Sequence, residues 1–253
     1  MVTLTEQTSR AAIKIAVVEH LRQWWGNDSL WLCSIGGAAT KPPTFVNSAP
    51  LRQMAQAYNV GRGIRKNKES MVAELLESKL QGWPDGLIER AKIVKQTAQE
   101  ACSKDYTRGV LLSGFTKMFW FLKPAGWTMY DRFTQKALCA KVRNIDHYDS
   151  YYLRLQELDF DGTMEACRKV INGSPYDYLW PERILDKYLM LCGQQIETKS
   201  LDSGWQSDHD FLLDLWSGFH DKDVDNKVDA LVEAIFVEVK DRPLFQLHRT
   251  TVD

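Results

Sequence analysis

Gly114-Phe-Thr-Lys117-Met-Phe-Trp-Phe-Leu-Lys-Pro124, followed by Trp127-Thr-Met-Tyr-Asp131, is the stretch that decides how the chain folds. Leu111, Phe115 and Met118 fall on one helical stripe, and Leu112, Phe119 and Leu122 fall on the next. A helix that is apolar on most faces belongs in a core. This one carries a lysine, a side chain that is almost never fully buried unless something pairs with it. Pro124 ends the helix, and Asp131 stands where the next should begin, as its N-cap. Desolvation lowers a lysine pKa, so a neutral, nucleophilic fraction of Lys117 is expected near neutral pH. An amine of that kind and a helix-start carboxylate are the parts of a Schiff-base or charge-stabilising site.

Outward from this segment the pattern stays helical. Helices are expected over Ser9 to about Trp25, Leu51–Tyr58, Glu69–Leu80, Leu87–Cys102, Thr107–Leu122 and Asp131–Val142. Further helices are expected over Tyr148–Leu158, Gly162–Ile171, Pro181–Cys192, Asp208–Trp216 and Asp225–Val239. Almost nothing alternates with period two, and one short strand near Leu30–Ile35 is the most the composition allows. No repeat of fixed period is present. The expected class is mainly α: a compact multi-helix unit over residues 1–253 with little or no sheet. It can divide into two lobes, about 1–60 plus 146–253 and 61–145, with a cleft between them.

At 253 residues and 44% hydrophobic, the chain is long and apolar enough to bury a core, which excludes a disordered protein. No apolar run approaches the roughly 20 residues of a membrane span, and the N-terminus lacks a basic-then-apolar leader. The five cysteines are scattered and odd in number, which fits neither a disulfide framework nor a clustered zinc motif and suits a reducing cytoplasm. The net charge of −1 hides a polarity: residues 60–145 carry 16 Lys+Arg against 8 Asp+Glu, whereas residues 146–253 carry 11 against 22. A basic stretch of that size suits a polyanion such as DNA.

Within it, Gly61-Arg-Gly-Ile-Arg-Lys-Asn-Lys68 is a basic loop whose glycines let backbone amides approach a phosphate, with Arg62, Arg65, Lys66 and Lys68 supplying charge. It matches neither a Walker loop nor a dinucleotide fingerprint. Trp127 and Tyr130, close to Asp131, and Trp120 on the lysine helix are the rings expected to line a base pocket. No metal or cofactor is expected. The five histidines form no ligand pair, and the Asp221, Asp223, Asp225 run has Asn226 and Val232 where a calcium loop needs Gly and Glu.

Taken together, Phe115-Thr-Lys117-Met118, the aromatic helix, the proline and Tyr130-Asp131 resemble the catalytic segment of the helix-hairpin-helix DNA glycosylase superfamily, closest to its 8-oxoguanine glycosylase-like, archaeal-type branches. The likeness covers roughly residues 105–145. By position, Lys117 matches the superfamily's helix lysine and Asp131 its aspartate. The resemblance implies a glycosylase, with AP-lyase activity, that flips a damaged or modified base out of duplex DNA and excises it. Divergence from housekeeping patterns suggests an unusual substrate, one option being phage DNA met by a defence enzyme. Two departures stand out. The glycine-rich L-P-G-V-G hairpin is replaced by Leu111-Leu-Ser-Gly-Phe-Thr, and the Lys-to-Asp interval of 14 residues is short. Lost hairpin glycines favour an alternative: a helical nucleic-acid- or partner-binding module without catalysis.

Overall fold

A computed structural model describes residues 6–35, 48–139, 147–198 and 204–247. The loose segment around Gly36-Gly37 and Pro42-Pro43, and the expected helix end at 140–142, lie outside the described residues. The fold is mainly helical, and among the described residues no strand occurs, only one isolated antiparallel bridge between Ile64 and Thr107. None of the described helices is long and apolar enough to cross a membrane.

The chain divides into two compact units: residues 1–23 with 131–253, and residues 24–130. The crossings therefore fall at 23/24 and 130/131, not near 60 and 145. The first coincides with a π-helical turn, Trp24–Asp28, which interrupts an otherwise continuous helical path. Counted by unit, residues 24–130 hold 14 Lys+Arg and 8 Asp+Glu, net +6, and the remainder holds 18 and 25, net −7.

The discontinuous unit contains α1 (Glu6–Gln23), α7 (Arg132–Cys139), α8 (His147–Glu157), α9 (Phe160–Asn172), α10 (Pro181–Thr198), α11 (Gly204–Phe219) and α12 (Lys222–Val239). Helix α10 is its axis, packing on α1, α7 and α9. Its sequence looks amphipathic, yet Glu182, Arg183, Asp186 and Lys187 are all buried beside Ile184, Leu185, Tyr188 and Leu189. Buried charge is tolerated only when paired. Arg183 bonds Asp186 and Gln23 of α1, and Arg168 donates to Glu182 at 2.5 Å. The Lys187 amine lies 4.0 Å from Glu19. His20, fully buried on α1, accepts the Trp180 N–H through Nε2 at 3.1 Å. Helix α7 meets α10 where Gly193 touches the backbone of Phe133, so that an added Cβ would stand 1.9 Å from the Phe133 carbonyl oxygen.

The continuous unit contains α2 (Ser29–Ile35), α3 (Ser48–Ala57), α4 (Glu69–Leu80), α5 (Leu87–Ser103) and α6 (Leu112–Leu122). Residues 29–35 are a helix, correcting the expected strand: Leu32 and Ile35, three apart, are the buried pair, which is a helical spacing. Helix α6 starts at Leu112 rather than Thr107, because Thr107 pairs across the bridge and the Arg108 N–H bonds the Gly63 carbonyl at 2.8 Å.

Two predictions follow from the discontinuous unit. Gly193→Ala forces α7 and α10 apart and is expected to cost about 1–3 kcal/mol, whereas Gly218→Ala, with nothing within 4 Å of its Cβ, is neutral or stabilising. Thermal melts of the two variants check this. Burial, then the Arg183 and Lys187 charges, hold the His20 pKa well below 6.5. The unfolded chain therefore takes up a proton below that pH while the folded chain resists it. Stability conferred by neutral His20 is complete above pH 6.5 and is lost as the pH falls, at up to about 1.4 kcal/mol per unit. Urea titrations at stepped pH should show a shallower acid loss in His20→Gln, and equal slopes would refute the linkage.

Candidate functional site

Helix α6 forms because its apolar residues close on the core from several sides: Phe115, Met118, Phe119, Trp120, Phe121 and Leu122 are all buried. Its less buried edge is the first turn, with Ser113, and one turn on, Lys117. Lys117 is half-buried, and its amine donates to Ser113 Oγ at 2.9 Å. That bond keeps the amine at the N-terminal end of the helix. It also means that the amine is anchored without full burial, which the apolar surroundings had suggested.

Helix α6 ends at Leu122, and the segment after it folds back along the helix. Thr116 Oγ1 donates toward the carbonyls of Ser113 (2.9 Å) and Tyr130 (3.3 Å) and accepts the Tyr130 N–H at 3.2 Å. Trp127 Nε1 donates to the Thr116 carbonyl at 3.4 Å. Arg90 of α5, itself buried, holds the bend from the other side. Its Nε donates to the Pro84 carbonyl at 2.7 Å, and its Nη1 donates to the carbonyls of Ala125 and Gly126 at 2.6 and 2.7 Å. Gly126 has φ +65°, and a Cβ there would lie 2.6 Å from Nη1, so both conformation and space call for glycine.

Asp131 follows Tyr130, just before α7. Its Oδ1 accepts the N–H groups of Phe133 and Thr134 at 2.9 Å each, and Thr134 Oγ1 accepts the Asp131 N–H at 3.0 Å. This reciprocal pair makes Asp131 the N-cap of α7, as expected, and orients its carboxylate along the first turn of a positive helix end.

The basic loop lies against the start of α6. A Cβ on Gly63 would stand 2.2 Å from a Leu111 methyl, and one on Gly114 would stand 3.3 Å from Val60. The loop and the Lys117 helix, read separately in sequence, are thus one structural feature of the continuous unit. Within the loop the four cations differ. Arg65 pairs with Asp105 at 2.8 Å, and the Lys68 amine sits 5.7 Å over the Tyr106 ring. Arg62 and Lys66 are exposed and line a cavity of about 560 Å³ together with Arg52 of α3. Arg52 escaped the sequence reading because a single arginine on a helix face carries no local signal.

The aromatic expectation needs correction. Trp120 and Trp127 are both 0% exposed. Trp120 packs edge-on against Phe121, and Trp127 meets Trp83, which in turn stacks on Phe119 at 4.9 Å. Both rings are core, offering no face to a base, because the apolar helix that carries or covers them has to be closed by something large. Tyr130 is half-buried. Gly114, the one glycine of Leu111-Leu-Ser-Gly-Phe-Thr, sits inside α6 rather than in a turn.

Comparison with protein-family models, curated proteins and solved structures found no match to the chain.

Arg90→Met should remove three part-buried bonds to carbonyls and lower stability by about 2 kcal/mol or more. Tryptophan fluorescence should change with it, because Trp127 rides on the same bend. A melt within experimental error of wild type would show that the bend holds itself.

Proposed function

We propose that the chain binds DNA through its basic unit and excises a damaged or modified base by N-glycosidic cleavage, with AP-lyase activity. One observation carries the reading: the basic loop packs on the first turn of α6, and the Lys117 amine is anchored to Ser113 of that same turn. A phosphate-holding surface next to a nucleophile suits chemistry on a nucleotide. The net charge of +6 on residues 24–130 supports the same partner.

In this reading the target nucleotide leaves the base stack, and cleavage of the base–sugar bond passes through a cation-like sugar. A carboxylate stabilises such a cation, and the resemblance gives that role to Asp131, whose Oδ1 accepts two amides of α7. Lys117 attacks the sugar C1′, the base departs with the bonding pair, and ring opening gives a Schiff base from which strand cleavage follows. Arg62 and Lys66 hold phosphates, with Arg65 and Lys68 as the flanking charge. Excision from phage DNA, as a defence, is one setting for such an enzyme.

A second reading is favoured by the same bonds. Lys117 is spent locally on Ser113, and Asp131 caps a helix. Both are structural uses, and a DNA-binding module without catalysis would need nothing more.

The two separate cleanly. Wild-type protein incubated with duplexes of varied base modification should leave alkali-labile abasic sites and be trapped on DNA by borohydride. Lys117→Ala should abolish trapping. Asp131→Asn, which preserves an N-cap, should slow base release by on the order of 10²-fold or more. Binding that weakens with salt, without abasic sites on any substrate, would establish the module instead.

A further inference from the structure

The cavity beside the basic loop is more specific than a surface that attracts a polyanion. It is formed within the continuous unit by one end of α3, the 61–67 loop and the start of α4, and holds about 560 Å³, the size of a small-ligand site. Three cations line it, Arg52, Arg62 and Lys66, with one carboxylate, Glu69. Glu69 is already paired, its Oε1 3.0 Å from Arg52 Nε. The lining charge is therefore +2, a balance that a single dianion neutralises.

The remaining polar lining is neutral. Gln56, Asn59 and Asn67 each bring an amide that both donates and accepts. Asn59 and Asn67 hold φ of 56° and 63°, left-handed backbone that fixes where the loop turns on either side of the two cations. Ala55, Gly61 and Ile64 add apolar and backbone surface. A wall of cations with amide groups beside it distinguishes a phosphate attached to a hydrogen-bonding group from bare phosphate. A DNA backbone phosphodiester carries one negative charge, whereas a terminal phosphate monoester carries nearly two at neutral pH.

We propose that this cavity binds the terminal phosphate monoester of a nucleotide, with Arg52, Arg62 and Lys66 on the phosphate and the Gln56, Asn59 and Asn67 amides toward the nucleoside. The ligand is either a free nucleoside monophosphate or the phosphorylated end of a DNA strand. The site rests on the loop's role as a phosphate holder and is independent of chemistry at Lys117.

Titration calorimetry on the full chain tests it with four ligands: a nucleoside 5′-monophosphate, the parent nucleoside, and one short oligonucleotide with either a 5′-phosphate or a 5′-hydroxyl. The phosphorylated member of at least one pair should bind about tenfold tighter or more. Arg62→Gln and Lys66→Gln, both at exposed positions, should each erase most of that preference without shifting the melting temperature. A preference confined to the oligonucleotide pair assigns the site to DNA ends, and one shared by the mononucleotide assigns it to the free nucleotide. Equal binding within both pairs overturns the proposal, as does a preference that survives both substitutions. Borohydride trapping of the wild-type chain reports on Lys117, so failure here and failure of the excision reading are distinguishable.

Discussion

One buried guanidinium fixes the geometry on which the continuous unit depends. A polypeptide that reverses direction after an apolar helix leaves carbonyl groups outside any helical ladder, and partly buried ones need a donor. Arg90 supplies three such bonds from α5, to Pro84, Ala125 and Gly126. A lysine could not span them, because the planar fork carries several donors at fixed angles and a point charge does not. With the bend held, Thr116 can tie Tyr130, the last residue of the continuous unit, back to α6. The bend is therefore held from α5, 36 residues earlier in the sequence.

Charge follows the same partition as packing. The unit formed by residues 24–130 is net basic and the discontinuous unit net acidic, so the near-zero total is a cancellation between two bodies of opposite sign. Inside the acidic unit, charges serve two ends. Asp159 and Asp221 cap α9 and α12 through their side chains. The α10 charges are instead internal and held by partners on α1 and α9. Breaking one partner there would strand a charge in a low-dielectric setting, which is why such clusters tolerate little change.

Much of the helical order was legible because α4, α5, α9 and α12 have apolar spacing that no other regular structure satisfies. Glu69–Leu80 was read with its observed limits. Asp131 as a cap was legible too, since a short side-chain acceptor before a helix has one strong local use. The failures have physical causes. Leu30–Ile35 is too short for period to separate strand from helix. Trp120 and Trp127 sit beside a would-be site in sequence, but only packing decides whether a ring is wall or filler. The α10 charges look like a solvated face because the α1 partners of Arg183 and Lys187, Gln23 and Glu19, lie 160 residues or more away. The cavity beside the loop was half-visible: Arg62 and Lys66 were read, and Arg52 was not, since its approach depends on how α3 meets α4.

The interrupted layout of the discontinuous unit has a kinetic consequence. Residues 24–130 form an uninterrupted stretch that can acquire its own core as soon as it has emerged. Helix α1, made before all of it, packs on α10 and α12. It must wait, with His20 and the apolar side chains around it unshielded, until the chain has grown past residue 181. Closing so long a loop is slow rather than forbidden, since its entropy grows only with the logarithm of length. A helix made ahead of the whole continuous unit is thus among the last to find its place.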